Sequence, residues 1–368
     1  MDAPCLQGLD SLATTLVAWQ RHYGRHHLPW QETTDPYRIW LSEIMLQQTQ
    51  VLTVITYYTR FLERFPSVSI LAQASQDEVM PYWAGLGYYA RARNLHRCAQ
   101  TIHEQYNGHF PDTAQELATL PGIGRSTAAA IAVFAYGERS PIMDGNVKRV
   151  FTRYFGIYGD PARSATGQLL WTTAQRAIEQ APASLDIRRY TQGLMDLGSA
   201  VCRRRNPDCD ACPFKSNCYA WGNDMQHDLP ERRTRKALPQ RRCIMLILEH
   251  QGHVLLQRQP SPGIWGGLWS LPQFDDQTAL KDAITAWNIT TSENQTLEPL
   301  THTFSHFKLH IQPQHIVMKN GISMLREPLT DQAWIAACKL HNTALPAPVK
   351  TLLYALFTPE LNPHDKPE

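Results

Sequence analysis

The sequence predicts a multidomain protein. An all-α region covers residues 1–222, a linker covers 223–241, and an α/β (α+β) domain covers 242–368. Three observations carry this. Apolar residues recur at helical spacing through the first region, with Gly and Pro between the periodic runs. The stretch holding Asp224, Asp228, Pro230 and Pro239 is rich in arginine and poor in apolar residues, as a linker is. Beyond it the period shortens to that of strands.

Taken in order, Ile39 to Val54 reads as one helix, and Gly124 to Tyr136 as an alanine-rich helix stopped by Gly137. A helix from Arg188 to Val201 delivers the chain to Cys202. After the linker, Cys243 to Glu249 and Val254 to Arg258 are predicted strands joined around Gly252, and Thr303 to Met318 a further strand pair. Asp276 to Trp287 and Pro348 to Phe357 are predicted helices.

The chain has 368 residues, 43% of them hydrophobic and 18% charged, an ordinary globular composition. It contains no run of ~18 apolar residues, so no membrane helix is expected. Met1 to Leu12 carries Asp2 and Asp10 and no basic stretch leading into an apolar one, so a secretory signal is not expected. Cys5, Cys98, Cys243 and Cys338 are scattered, which suits free thiols in a reducing cytoplasm. Net charge is only +2, but Arg203, Arg204 and Arg205 cluster, as do Arg232, Arg233, Arg235, Lys236, Arg241 and Arg242. Such clusters neutralise phosphates, and they equally form solvated linker faces.

Cys202, Cys209, Cys212 and Cys218 follow the spacing C-x6-C-x2-C-x5-C. Four thiolates so close in sequence can converge on a [4Fe-4S] cluster or a zinc ion. A zinc ribbon usually has two CxxC knuckles; one CxxC with unequal flanks favours the cluster.

Two carboxyl groups stand out. Glu43 is the only charged residue between Arg38 and Arg60, and it sits in the largely apolar stretch Ile39-Trp40-Leu41-Ser42-Glu43-Ile44-Met45-Leu46. Such surroundings raise a carboxyl pKa and make it a proton donor near neutral pH, although an amphipathic helix also carries such a glutamate. The polar run Gln47, Gln48, Thr49, Gln50 places a polar ligand at that end of the helix. Asp144 reads as an N-cap, and the N–H groups there favour its charged form. One carboxyl protonated and one ionised is the arrangement that cleaves a glycosidic bond through an oxocarbenium-like transition state.

Leu120-Pro121-Gly122-Ile123-Gly124-Arg125-Ser126 lies between helices, and Gly122 and Gly124 let backbone N–H groups approach a phosphate. A helix-hairpin-helix, then an aspartate, then a cysteine loop resembles the endonuclease III superfamily of DNA glycosylases over residues 10–222. Trp40 to Gln50, Gly85 to Arg93 and Asp144 to Val150 look like the MutY-type adenine DNA glycosylases. That resemblance implies that Glu43 protonates N7 of a flipped adenine, that Asp144 stabilises the sugar cation, and that Asn146 orients the carboxylates and water. It implies that Gln48 and Tyr88, with Thr49 and Leu86 beside them, meet the duplex at the lesion, and that Gly122, Gly124, Arg125 and Ser126 hold DNA. Trp30 would line the adenine pocket. Ser126 stands where bifunctional relatives place a lysine nucleophile; a serine forms no Schiff base, which implies a monofunctional enzyme.

Residues 243–357 resemble a Nudix-like domain, but Asp276 to Thr291 lacks the glutamate-rich metal-binding pattern, so metal-dependent hydrolysis is not expected. Phe304, Ser305 and His306, read as part of a strand, would approach an 8-oxoguanine opposite the adenine. The resemblance thus implies a monomer acting on double-stranded DNA with A:8-oxoG or A:G mispairs. The rivals are a glycosylase/lyase for oxidised pyrimidines, a Nudix hydrolase of the nucleotide pool, and a silent lesion-binding module.

Overall fold

The structure is a computed structural model that describes residues 9–231, 237–261, 263–319 and 331–357. Cys5, Arg232, Arg233, Arg235 and Lys236 lie outside the described residues. The chain forms two compact units, Met1–Gln73 with Asn94–Arg235, and Ala74–Arg93 with Lys236–Glu368. The second unit thus includes a segment, residues 74–93, that the sequence reading assigns to the N-terminal region. Among the described residues no helix is long and apolar enough to cross a membrane.

In chain order the first helices are α1 (Leu9–Tyr23), α2 (Pro36–Met45), α3 (Val51–Arg64), α4 (Val68–Gln73), α5 (Gln76–Trp83), α6 (Tyr89–Gln105) and α7 (Ala114–Leu117). They are followed by α8 (Arg125–Ile131), α9 (Gly145–Phe155), α10 (Ser164–Glu179), α11 (Ile187–Asp196) and α12 (Tyr219–Gly222). Both α8 and α11 continue into a π turn, Ala132–Tyr136 and Leu197–Val201. One apolar core, including Leu16, Val133, Val147, Phe151, Leu170 and Leu194, joins α1, α9, α10 and α11. Burial of these side chains, about 25 cal/mol per Å² of apolar surface, is what holds helices too short to stand alone.

The helix expected over 39–54 is two helices. The chain leaves α2 at Met45, and Gln48 takes a left-handed conformation (φ 59°) before Gln50 N-caps α3. Glutamine is a good helix former, so local propensity gives no warning of the break.

Among the described residues the C-terminal unit contains an eight-stranded mixed sheet: β1 (Gln240–His250), β2 (His253–Arg258), β3 (Trp269–Ser270), β4 (Gln273–Phe274), β5 (Thr291–Thr296), β6 (Leu300–Thr303), β7 (Lys308–Met318) and β8 (Gln332–Ala336). Its path is β3-β2-β1-β7-β5, with β4 on β1, β6 on β7 and β8 on β2. Among the described residues only β1 and β7 pair in parallel, Gln240 opposite Lys308 through Glu249 opposite Val317. Helices α13 (Gln277–Ala286) and α14 (Ala347–Phe357) complete this unit. Asp276 N-caps α13 by accepting from Ala279 N–H at 2.9 Å.

Gly156 ends α9 at φ 64°, and a Cβ there would lie 2.5 Å from the Tyr219 ring, directly after Cys218. Gly156→Ala is therefore expected to lower stability by about 2 kcal/mol or more, through left-handed strain and the clash together, read as a lower urea midpoint.

Candidate active site

A cavity of 1680 Å³ opens in the first unit and collects side chains from α2, α8, α9 and α11. Trp30, Glu43, Gln48, Thr49, Ser126, Asp144 and Asn146 all line it. Residues distant in sequence are thus brought to one wall.

Glu43 is positioned by α2. Asp35 caps that helix by accepting from Tyr37 N–H, and Pro36 occupies its first turn. Ile39, Trp40, Leu41, Ile44 and Met45 are buried and fix its rotation. Glu43 keeps a partly exposed edge toward the cavity but is otherwise encircled by protein. Burial, and after it the charge of Asp144, push its carboxyl from an ordinary 4.5 up to about 8. At neutral pH it holds a proton.

Asp144 caps α9, its Oδ1 accepting from Val147 N–H at 2.7 Å. Burial lifts its carboxyl above the ordinary value, opposed by the N–H groups of Val147 and Asn146 and the charges of Arg149 and Lys148. The cap favours the ionised form, as expected from sequence, but desolvation outweighs it in the net direction. Because Glu43 feels Asp144 as a charge, the pair loses its first proton from Asp144.

Two further contacts hold Asp144 in place. Ser126 Oγ accepts from Met143 N–H at 2.9 Å, which pins the residue before Asp144 to the start of α8. Gly198 lies so close to Asn146 that a Cβ there would stand 2.6 Å from the Asn146 Cβ. Trp30 is buried, edge-on to Tyr58 with ring centroids 5.4 Å apart. Gln47 Nε2 donates to Thr127 Oγ1 at 3.4 Å, joining the 46–50 turn to α8.

At the hairpin, Gly122 has φ 77° and packs against Asn94, where a Cβ would be 2.6 Å from the Asn94 Cβ. Gly124, the N-cap of α8, faces open space. The Arg125 guanidinium lies over the Trp171 ring at 3.9 Å.

The other expected DNA-facing residues, Leu86, Tyr88, Phe304, Ser305 and His306, belong to the C-terminal unit. Leu86 is buried, whereas Tyr88 is 48% exposed at φ 49° between Gly87 (φ 71°) and α6. Arg91 sits over the Tyr88 ring at 5.4 Å. Phe304, Ser305 and His306 are not strand residues: they form the turn between β6 and β7, closed by Phe304 N–H donating to Phe307 O at 2.9 Å. Phe304 stacks on Phe307 with centroids 4.5 Å apart, which favours this tight turn over continued strand pairing. Ser305 and His306 stand exposed at its tip. In α13, where Nudix hydrolysis would need several carboxylates, Asp282 is alone.

Residues not anticipated from sequence tie α9 to the cysteine loop. Arg149 Nε donates to Cys202 O at 2.7 Å, and its Nη2 donates to Asn146 Oδ1 at 2.9 Å and Gly198 O at 2.5 Å. Arg153, 2% exposed, donates to Leu229 O at 2.9 Å, Arg203 O at 2.7 Å and Cys202 Sγ at 3.4 Å. Their only sequence signal is the helical spacing Asn146, Arg149, Arg153 on one face. Asp196, 1% exposed, receives Arg25 Nε at 2.7 Å and Gln192 Nε2 at 2.8 Å beside the cavity. No local pattern joins Arg25 to Asp196.

The four loop cysteines are free thiols close enough to feel one another's charge. Backbone N–H groups of Phe214, Ala220 and Trp221 point at Cys212 and Cys218, and Arg153 at Cys202. Donors aimed at sulfur suit a thiolate-ligated centre. Among the described residues no three His, Cys, Asp or Glu side chains converge tightly enough for a single metal ion.

Comparison with known proteins agrees with this geometry. Residues 41–176 match the HhH-GPD superfamily of base excision DNA repair proteins, and 243–355 match the NUDIX domain. An adenine DNA glycosylase from Buchnera aphidicola is 36% identical, covering 92% of this chain and 95% of that protein. The Homo sapiens adenine DNA glycosylase is 31% identical over 91% of this chain and 72% of its own length. A thermostable thymine-DNA glycosylase structure, 26% identical, superposes on 59% of this chain and 98% of its own with a TM-score of 0.53. An endonuclease III–DNA complex at 20% identity, covering 60% of this chain and 98% of its own with a TM-score of 0.51, shares the helical fold.

The raised Glu43 carboxyl fixes the sign of a pH effect. Its proton is bound when folded and lost when unfolded between the ordinary value of 4.5 and about 8. Its stabilising contribution is therefore complete below that window and lost as pH rises through it. Glu43→Gln removes that titration. The variant is expected to gain on the wild type by about 1.4 kcal/mol for each pH unit crossed, measured by urea unfolding.

Proposed function

Because the chain belongs to the adenine DNA glycosylase family, we propose that it excises adenine mispaired with 8-oxoguanine, and more weakly with guanine, from double-stranded DNA. It is a base excision repair glycosylase acting on adenine. The observation that carries base release is the carboxyl pair lining one cavity: Glu43 protonated at neutral pH, Asp144 the first of the two to ionise.

A duplex hides its base from such a pair, so adenine is extruded into the cavity, at an unstacking cost of a few kcal/mol. Exposed Tyr88 and Gln48 offer planar groups to restore stacking. Glu43 donates its proton to adenine N7. The C1′–N9 bond then breaks with its electron pair going to the base. Positive charge on C1′ and the ring oxygen is met by the Asp144 carboxylate, held by its helix cap. Asn146, fixed by Arg149 and packed on Gly198, orients water for attack at C1′; the water's proton passes to the Glu43 carboxylate, restoring it, and an abasic site remains. Gly122 and Gly124 with the start of α8 suit a DNA phosphate. Ser305 and His306, exposed at the β6–β7 turn, suit hydrogen bonding to the base opposite the adenine.

Among the described residues, those lining the cavity include no lysine, and Ser126 Oγ already accepts the Met143 N–H. This supports hydrolysis without a Schiff base. Lys148, whose charge acts on Asp144, is the first amine to replace if strand cleavage occurs unaided.

The donor set of Cys202, Cys209, Cys212 and Cys218 fits a [4Fe-4S] cluster better than zinc. Their spacing, with a single CxxC and unequal flanks, and the N–H groups aimed at Cys212 and Cys218 suit such a thiolate-ligated centre. When bound, the cluster supplies a rigid brace for a loop too short to build a core; the chain's own Arg149 and Arg153 connect that loop to α9.

Single-turnover base release is the test. A duplex with adenine opposite 8-oxoguanine should yield abasic sites cleaved only after alkali; strand cleavage without alkali would contradict monofunctional hydrolysis. Glu43→Gln should lower the rate by about 10²–10⁴-fold while DNA binding is retained. Ser305→Ala should lower the rate opposite 8-oxoguanine more than the rate opposite guanine, by up to about tenfold, the worth of one hydrogen bond.

A further inference from the structure

Three consecutive residues of the C-terminal unit touch two segments that the proposed function sends to the lesion. The Trp265 ring packs against Phe304 with centroids 5.4 Å apart and against His302 at 5.9 Å. The next residue, Gly266, accepts from Arg93 Nη1 at 2.5 Å through its carbonyl. A Cβ on the third, Gly267, would lie 2.5 Å from Gln76 Nε2. Gln76 and Arg93 bracket the segment that carries Tyr88, and Phe304 opens the turn that carries Ser305 and His306. An ion pair from Arg258 to Asp77 at 2.5 Å makes a second tie to the same segment.

The turn is stiff. Gly267 N–H donates to Gln259 O at 2.9 Å, and Gln259 N–H donates to Leu268 O at 2.8 Å. Trp265 itself is 7% exposed and sits at φ 57°. A buried indole is ordinarily core packing. A bulky residue in the left-handed region is not ordinary; it persists only where the surroundings over-determine it. Here the strain aims the ring at Phe304 and leaves the following carbonyl facing Arg93.

We propose that the Trp265–Gly267 turn is a bridge coupling recognition of the base opposite the adenine, at Ser305 and His306, to insertion of Tyr88 into the duplex. Trp265 is its positioning residue. The proposal rests on the 8-oxoguanine reading above. It makes the preference for 8-oxoguanine a property of two segments acting together. A wrong opposite base that fails to seat at the β6–β7 turn then also withdraws support from Tyr88.

The test uses the full-length protein and single-turnover release of adenine opposite 8-oxoguanine and opposite guanine. Trp265→Leu should lower the ratio of the two rates by about tenfold, in the range of ordinary coupling between sites, and leave release opposite guanine unchanged. Trp265→Phe, which keeps a ring against Phe304, should recover most of it. The effects of Tyr88→Leu and Ser305→Ala should be non-additive in the wild type and additive in Trp265→Leu. Amide exchange of the free protein reads the bridge without substrate. In Trp265→Leu the Phe304 N–H, bonded to Phe307 O, and the Arg91 N–H, bonded to Tyr88 O, should open together. An unchanged ratio with loosening confined to residues 258–268 would overturn the proposal. Absence of any 8-oxoguanine preference in the wild type would instead refute the opposite-base reading. The bridge would then stand or fall on joint opening of the two amides.

Discussion

Two carboxyl groups share one desolvated wall, and that constraint organises the catalytic unit. Burial is the first cause of both shifts. Two like charges in such a place repel, so one group keeps its proton. Which one is decided by local structure. Asp144 has helix N–H groups and the charges of Arg149 and Lys148, whereas Glu43 lies in the last turn of α2, far from the free N–H groups at that helix's N-terminus. The same wall therefore supplies an acid and an anion at one pH.

Helix α9 carries this arrangement into the rest of the unit. Asp144 is its cap, Asn146 sits in its first turn, and Arg149 and Arg153 reach from its side to the cysteine loop. Gly156 ends it against Tyr219, the residue after the last cysteine. The cysteine loop is thus linked to Asp144 through one helix and its hydrogen bonds.

Much of this was legible in the residues themselves, and the failures have physical causes. The Asp144 cap, the Gly137 stop and the strands of β1 and β2 rest on local chemistry, which sequence displays directly. The break at Gln48 did not show, because glutamine favours helix and tertiary packing imposed the left-handed turn. The Phe304–His306 turn was read as strand, because alternation hides a turn closed by an aromatic stack. Arg149, Gly198 and the Arg25–Asp196 pair act across long separations that no local pattern encodes. The grouping of residues 74–93 with the C-terminal unit was equally invisible, since it is a property of packing.

The most direct test of the central claim is a titration of the Glu43 carboxyl itself, by infrared difference spectroscopy of wild type against Glu43→Gln. A protonated carboxyl stretch that persists through neutral pH and disappears near 8 is the predicted result. A carboxylate already ionised near the ordinary glutamate value would contradict it, and with it the assignment of Glu43 as the proton donor.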